Sequence, residues 1–360
     1  MLRRIGLIGG IALAVLTALA GGVRAAAIHA HGGAVIAYTA MLPSGHADVT
    51  LIDVQHGSSV SPTDRLTQER FLGWSADGMR FAIGQVDTPP ALVQNRTLVF
   101  DLASGRIGQY NIWGIYATFS PDGRWIAFTR MFGATRGELW TLDTHTGQQR
   151  AISGRIGVSG LAAWLPDGGA ILMGGRANGG SFQIYRFPRD GGTPTPITQQ
   201  EGNQFNPRLS PDGRTLLYES AQRRALAVML MPLDGSAPPR SITAGDGFCE
   251  MPAWSPDGTR IAVICRGVYG LTGRALFVAH LAHDQQGSAL LPGEIAFLAP
   301  GLRPIQLQWT AGDQIVFAGT DGFLWQIDAP RAAGEAPSAS PRPIRRVYTS
   351  DTYAPLGVRP

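Results

Sequence analysis

The chain contains no lysine. Each of its 30 basic side chains is an arginine. That excludes a lysine Schiff base, a P-loop lysine and a Ser-Lys dyad. Cysteine is scarce too, with only Cys249 and Cys265, and a catalytic thiol is set aside. Charged residues make up 16% of the chain and balance to +4 over 360 residues. So mild an excess does not point to nucleic acid, although it allows a locally basic face. There is no Gly-x-Ser-x-Gly elbow, no His-Glu-x-x-His, no calcium loop and no P-loop. No catalytic residue, metal site or cofactor is therefore assigned. Paired histidines occur at His29/His31 and at His280/His283, but strand residues three apart point to opposite faces and do not share a metal.

What is present is apolar residue at 44%, with 47 Gly and 25 Pro, a composition that suits a β-rich globular protein. Arg3 and Arg4 precede an uncharged apolar run over residues 5–23, followed by Arg24 and Ala25-Ala26-Ala27. This is the pattern of a secretory signal cleaved near Ala25 or Ala27. As a helix the run would reach roughly 28 Å, so an uncleaved anchor is the alternative. Residues 1–27 thus read as signal peptide or membrane anchor, and residues 28–360 as one domain. The expected location is periplasmic or extracellular, or anchored on the outer side of the cytoplasmic membrane.

One phrase recurs: Trp74-Ser75-Ala76-Asp77-Gly78, Phe119-Ser120-Pro121-Asp122-Gly123, Trp164-Leu165-Pro166-Asp167-Gly168, Leu209-Ser210-Pro211-Asp212-Gly213 and Trp254-Ser255-Pro256-Asp257-Gly258. The four intervals are each 45 residues. A degenerate sixth copy, Trp309-Thr310-Ala311-Gly312-Asp313, follows after 55. Ser-Pro-Asp-Gly is a type I turn sequence. An apolar run follows each copy, so the phrase marks a hairpin. Two further short strands complete each unit. Four antiparallel strands in about 45 residues make a propeller blade. The aspartates are accordingly read as turn residues.

Trp-Ser-Pro-Asp-Gly followed by an Ile-Ala-Phe-like strand resembles the TolB-type, WD-repeat-like propeller repeat. The resemblance covers nearly all of residues 28–360. It implies an all-β propeller and says little about function. TolB also carries an N-terminal α/β domain, for which this chain leaves no room, so the likeness is to the repeat and not to TolB itself. Stepping back by 45 residues places Ile36-Ala37-Tyr38 in register as a second strand. The expected architecture is seven blades, six continuous and one composite, closed by strands from both termini; six blades is the alternative. Residues 284–300 and the Pro/Ala/Ser-rich 329–341 read as insertions.

If Trp254 faces Arg260, facing residues have numbers summing to 514, and Cys249 with Cys265 meets that sum. A disulfide is expected in an exported protein. The loops between second and third strands carry Arg130, Arg136, Arg176, Arg223, Arg224, Arg266 and Arg274 against fewer acids, Asp48, Asp87, Glu138, Glu219 and Asp321. Arginine with aromatic companions suits a protein interface or recognition of carboxylate and phosphate. The chain therefore reads as a monomeric binding module docking an envelope protein on that loop face, with no nucleic acid. The alternative is an enzyme or a small-ligand or glycan binder using the central channel.

Overall fold

The computed structural model describes residues 35–41, 47–54, 58–63, 68–86, 95–112, 115–132, 136–222, 224–243, 247–268, 273–281, 295–297, 303–330, 340–346 and 357–359. Residues 1–27, His29, His31, His283, Arg223 and most of the two expected insertions lie outside them. Among the described residues every regular element is a strand, and no helix is long and apolar enough to cross a membrane.

The strands follow as short antiparallel meanders. The first has β1 (Val35–Met41), β2 (Ala47–Asp53) and β3 (Ser59–Val60), and the second β4 (Gln68–Trp74), β5 (Arg80–Val86), β6 (Asn95–Asp101) and β7 (Ile107–Tyr110). Then come β8 (Ile115–Phe119), β9 (Trp125–Phe132), β10 (Arg136–Asp143) and β11 (Gln149–Ala151), followed by β12 (Gly157–Trp164), β13 (Ala170–Arg176), β14 (Gln183–Pro188) and β15 (Thr195–Pro196). The next set is β16 (Asn203–Leu209), β17 (Thr215–Gln222), β18 (Ala225–Pro232) and β19 (Arg240–Ser241). It is followed by β20 (Phe248–Trp254), β21 (Arg260–Arg266), β22 (Ala275–His280) and β23 (Ile295–Phe297). The last are β24 (Pro304–Trp309), β25 (Gln314–Gly319), β26 (Phe323–Asp328), β27 (Arg342–Arg346) and β28 (Gly357–Val358). The chain divides into two compact units, residues 1–113 with 347–360, and residues 114–346.

The expectation of separate four-stranded blades, seven or six, closed into a ring is corrected here. The strands form five sheets, three of four strands and two of eight, and none closes on itself. Two single bridges make the larger sheets. Gly137 of β10 pairs with Val158 of β12, and Leu226 of β18 pairs in parallel with Phe248 of β20. Glycine permits the first junction: a Cβ at Gly137 would lie 2.5 Å from the Val158 carbonyl oxygen. At the second, the Leu226 N–H donates to the Gly247 carbonyl. In the first unit, Ile36 and Ala37 of β1 pair with Val358 and Gly357 of β28, so both chain ends enter one sheet.

The repeated phrase forms the turn between the first and second strands. In Ser75–Arg80 the Gly78 N–H donates to the Ser75 carbonyl, and Gly78 takes φ 64°. Ser75 Oγ donates to Asp77 Oδ1 at 2.5 Å and accepts from the Arg80 N–H at 2.8 Å. Ser120, Ser210 and Ser255 make the same bonds with Asp122, Asp212 and Asp257. Asp167, preceded by Leu165 in place of serine, accepts only from the Gly169 N–H in its turn. The Ser210 hydroxyl and Arg214 N–H hold the Asp212 carboxyl below its usual range.

Apolar runs on both alternations bury both sheet faces, and successive meanders pack face to face. In the second unit, Leu217, Val228 and Leu230 meet Val263 and Phe277, and Leu172 and Ile184 meet Leu216 and Tyr218. Cys249 and Cys265 are bonded within the first of these clusters. The register behind that pairing differs from the expected one. Trp254 faces Ile261, not Arg260, and a bulge between Glu250 and Ala253 restores Cys249 opposite Cys265. Alanine at both cysteines removes a cross-link over 16 residues, so the denaturant midpoint should fall by the equivalent of about 3 kcal/mol. Reductant should lower the wild type alike and leave the variant unchanged.

In the first unit, burial gathers two carboxyls. Asp48 is 1% and Glu69 2% exposed. Ser61 Oγ donates to both Asp48 oxygens at 2.9 and 3.0 Å. Thr63 Oγ1 and Gln85 Nε2 donate to Glu69 at 2.5 and 2.9 Å. Burial pushes the Glu69 carboxyl from 4.5 up to about 7, and Asp48 adds to the rise against the lowering by those hydrogen bonds. A raised carboxyl takes up a proton on folding. Its stabilisation is complete below pH 4.5 and is lost as pH rises through about 7. Urea unfolding across pH 4–8 should show stability falling by up to roughly 3 kcal/mol, and Glu69→Gln should flatten that slope.

Candidate functional site

The described loop arginines end up at the ends of second strands and the starts of third strands, and four of them have a partner. Arg130 lies 5.1 Å from the Trp140 ring centroid, Arg176 4.9 Å from Phe182 and Arg266 4.6 Å from Phe248. Arg274 pairs with Glu250 at 2.7 Å. Arg136 begins β10 opposite Phe132, and Arg224 is exposed between β17 and β18. Met131 and Phe248, exposed at 40% and 39%, sit at this end of their hairpins. A shallow recess of 270 Å³ lies there too, lined by Glu201, Gly202, Asn203, Ala221 and Gln222.

A second group lies on the first strands of the second unit. Strands β8, β12, β16, β20 and β24 stand side by side in that order. Most first strands carry a bulge near mid-length, with a residue in the left-handed region: Tyr116, Asn206 and Met251 at φ 58°, 53° and 55°. Non-glycine residues adopt this conformation at a cost, so something nearby must hold them. At Asn206 the side chain does this. Its Oδ1 accepts from the Leu161 N–H of β12 at 3.0 Å, and its Nδ2 donates to Glu219 Oε2 at 2.8 Å. Glu219 Oε1 accepts from the Met251 N–H of β20 at 2.9 Å. One amide and one carboxyl therefore tie three neighbouring first strands together.

Glu219 is 4% exposed. Burial raises its pKa, opposed by the bonds from Asn206 and Met251 and by the Arg208 charge, while Glu250 raises it further. Arg208 faces Leu217 across the β16–β17 ladder and is partly exposed. Desolvation nevertheless lowers its pKa, against the pull of Glu219, so the guanidinium is recessed. A carboxyl able to hold a proton beside a recessed arginine can donate to, or neutralise, a bound oxygen. Among the described residues no group of three His, Cys, Asp or Glu is placed to hold a metal ion.

From sequence, Glu219 stands out only as a loop acid, and Asn206, Arg208 and Glu250 do not stand out at all. The signal was an exception within the repeat. Positions equivalent to Arg208, each facing the residue nine further on, are Thr118, Ala163 and Ala253. Positions 45 residues apart from Glu219 are Thr129, Gly174 and Ile264.

The fold and the repeated hairpin mark a propeller-type protein. Residues 106–269 match the TolB beta propeller domain family, and residues 253–343 the lipoprotein LpqB beta-propeller domain family. An uncharacterised protein of Agrobacterium fabrum is 28% identical over 147 residues, covering 40% of this chain and 48% of that protein. The chain thus matches about half the length of that relative. Among solved structures, TolB from Acinetobacter baumannii has TM-score 0.51 and 21% identity, over 69% of this chain and 61% of that one. Oligogalacturonate lyase from Vibrio parahaemolyticus has TM-score 0.57 and 14% identity, over 88% and 86%. At these identities the likeness carries the fold alone. The chain is a β-propeller-fold repeat protein distantly related to TolB-type binding proteins and to several propeller enzymes. It is an exported protein, periplasmic or extracellular.

Asn206→Asp removes the donor to Glu219 and sets a second carboxyl against it. Stability at neutral pH should drop by about 2–4 kcal/mol. The loss should shrink towards pH 5, as protonation relieves the repulsion; a pH-independent loss would refute this account of the pair.

Proposed function

We propose that this chain is an extracytoplasmic binding protein that takes a small ligand or a glycan on the first strands of its second unit. The supporting observation is the pair Arg208 and Glu219 beside Asn206, at positions where neighbouring repeats carry uncharged residues, with the Glu250–Arg274 ion pair on the next meander. First strands line the axial channel in propellers, where ligands are held.

A second reading is favoured by Phe248, exposed beside Arg266. An envelope protein would dock on the loop end through Arg130, Arg136, Arg176, Arg223, Arg224, Arg266 and Arg274, with aromatic and arginine side chains as anchors.

The readings separate in one comparison. The full chain is screened by calorimetry against neutral and acidic oligosaccharides, and in parallel used as bait in envelope extract. Ligand binding lost in Arg208→Ala and kept in Arg224→Glu/Arg266→Glu is the expected result. A protein retained by wild type and Arg208→Ala baits, but lost by the double variant, would move the function to the loop end.

A further inference from the structure

We infer that Arg208 anchors an oxyanion, a carboxylate or a phosphate, on a small ligand seated on the first strands β12, β16 and β20. This rests on the binding surface proposed above and names the chemistry it takes.

Elsewhere in the second unit most described arginines are paired, stacked or exposed. Arg124 pairs with Asp143, Arg189 with Asp190, Arg260 with Asp257 and Asp313, and Arg274 with Glu250. Arg130, Arg176 and Arg266 stack on aromatic rings. Arg155, Arg186, Arg214 and Arg303 are exposed and solvated. Arg208 does none of these. It is only partly exposed, and among the described residues it makes no side-chain hydrogen bond and has no carboxylate within ion-pair distance. A guanidinium offers five donors in a planar fork. Partly exposed and without a partner among the described residues, those donors are left to solvent or to a ligand.

Glu219, the charge that acts on Arg208, is not available to close that gap. Both of its oxygens are engaged, one by the Met251 N–H and one by Asn206 Nδ2. Glu250 is likewise held by Arg274. On the flanking first strands the equivalent positions are Ala163 and Ala253, whose side chains end at Cβ. The equivalent positions on both flanking first strands thus offer the guanidinium no acceptor. A carboxylate or phosphate matches it with two parallel hydrogen bonds.

The titratable and charged groups of the cluster are Arg208, Glu219, Glu250 and Arg274. Burial raises the Glu219 pKa, so the set becomes more positive as pH falls and Glu219 takes a proton. Anion affinity should rise with it.

The test uses the full chain with its disulfide intact. Glucuronate, glucose 6-phosphate and neutral glucose are titrated by calorimetry and by following the Arg208 Nε–H resonance. At least one anion should bind about 10- to 100-fold tighter than glucose, and which one does so separates carboxylate from phosphate. Arg208→Gln should abolish the preference and Arg208→Lys restore part of it. The wild-type preference should grow as pH is lowered and Glu219 takes up its proton above the usual carboxylate range, and Glu219→Gln should level that trend. If glucose binds as well as the anions and Arg208→Gln changes nothing, the anion anchor is overturned while the first-strand surface stands. If none of the three moves the Arg208 resonance at millimolar concentration, both readings fall. An unchanged urea midpoint in Arg208→Gln shows that lost binding is not lost folding.

Discussion

Register in this molecule depends on a hydroxyl and a carboxyl two residues apart. In Ser75–Asp77 and its equivalents, the serine accepts from the backbone five residues on and donates to the aspartate, which accepts from the second N–H after itself. The turn has little freedom left once those bonds form, and strand pairing starts from the same residue in each copy. Because side chains alternate faces with a period of two, a slip by one would turn each apolar run outward. The sixth copy keeps the function with different parts. Thr310 Oγ1 accepts from the Gln314 N–H, and Asp313 takes the left-handed position that glycine holds elsewhere. Asp313 also receives Arg260, which stacks on Trp309, so the altered turn gains a tie to the preceding meander.

That dependence explains how far the sequence could be read. The 45-residue phrase and the type of every hairpin were legible because turn chemistry is local. The cysteine pair was legible from simple register, although by an offset that was wrong at Trp254 and corrected by the bulge beyond Glu250. The merging of meanders into eight-stranded sheets was not. It rests on two single bridges, at Gly137 with Val158 and at Leu226 with Phe248, and nothing local distinguishes these residues from their counterparts in other copies. The fourth strand of the first meander is Ser59–Val60.

The candidate site was harder to read for a different reason. The eye is drawn to what repeats, while ligand contacts on a repeat scaffold lie where one copy breaks the pattern. Arg208 and Glu219 are such breaks, both in the same copy. The loop arginines repeat more evenly, and the structure gives most of them an aromatic ring or an acid to rest on. An arginine already occupied by a neighbour serves packing as well as recognition.

Asn206 carries more of this arrangement than any other single side chain, and its chemical lifetime follows from its neighbour. Spontaneous deamidation of asparagine proceeds by attack of the next residue's backbone nitrogen on the side-chain carbonyl. That residue is Pro207, whose nitrogen bears no hydrogen. The amide that bridges β12 to Glu219 is thereby shielded from the ageing reaction that would turn it into an acid, an advantage for a protein that works outside the cytoplasm, beyond the reach of resynthesis in place.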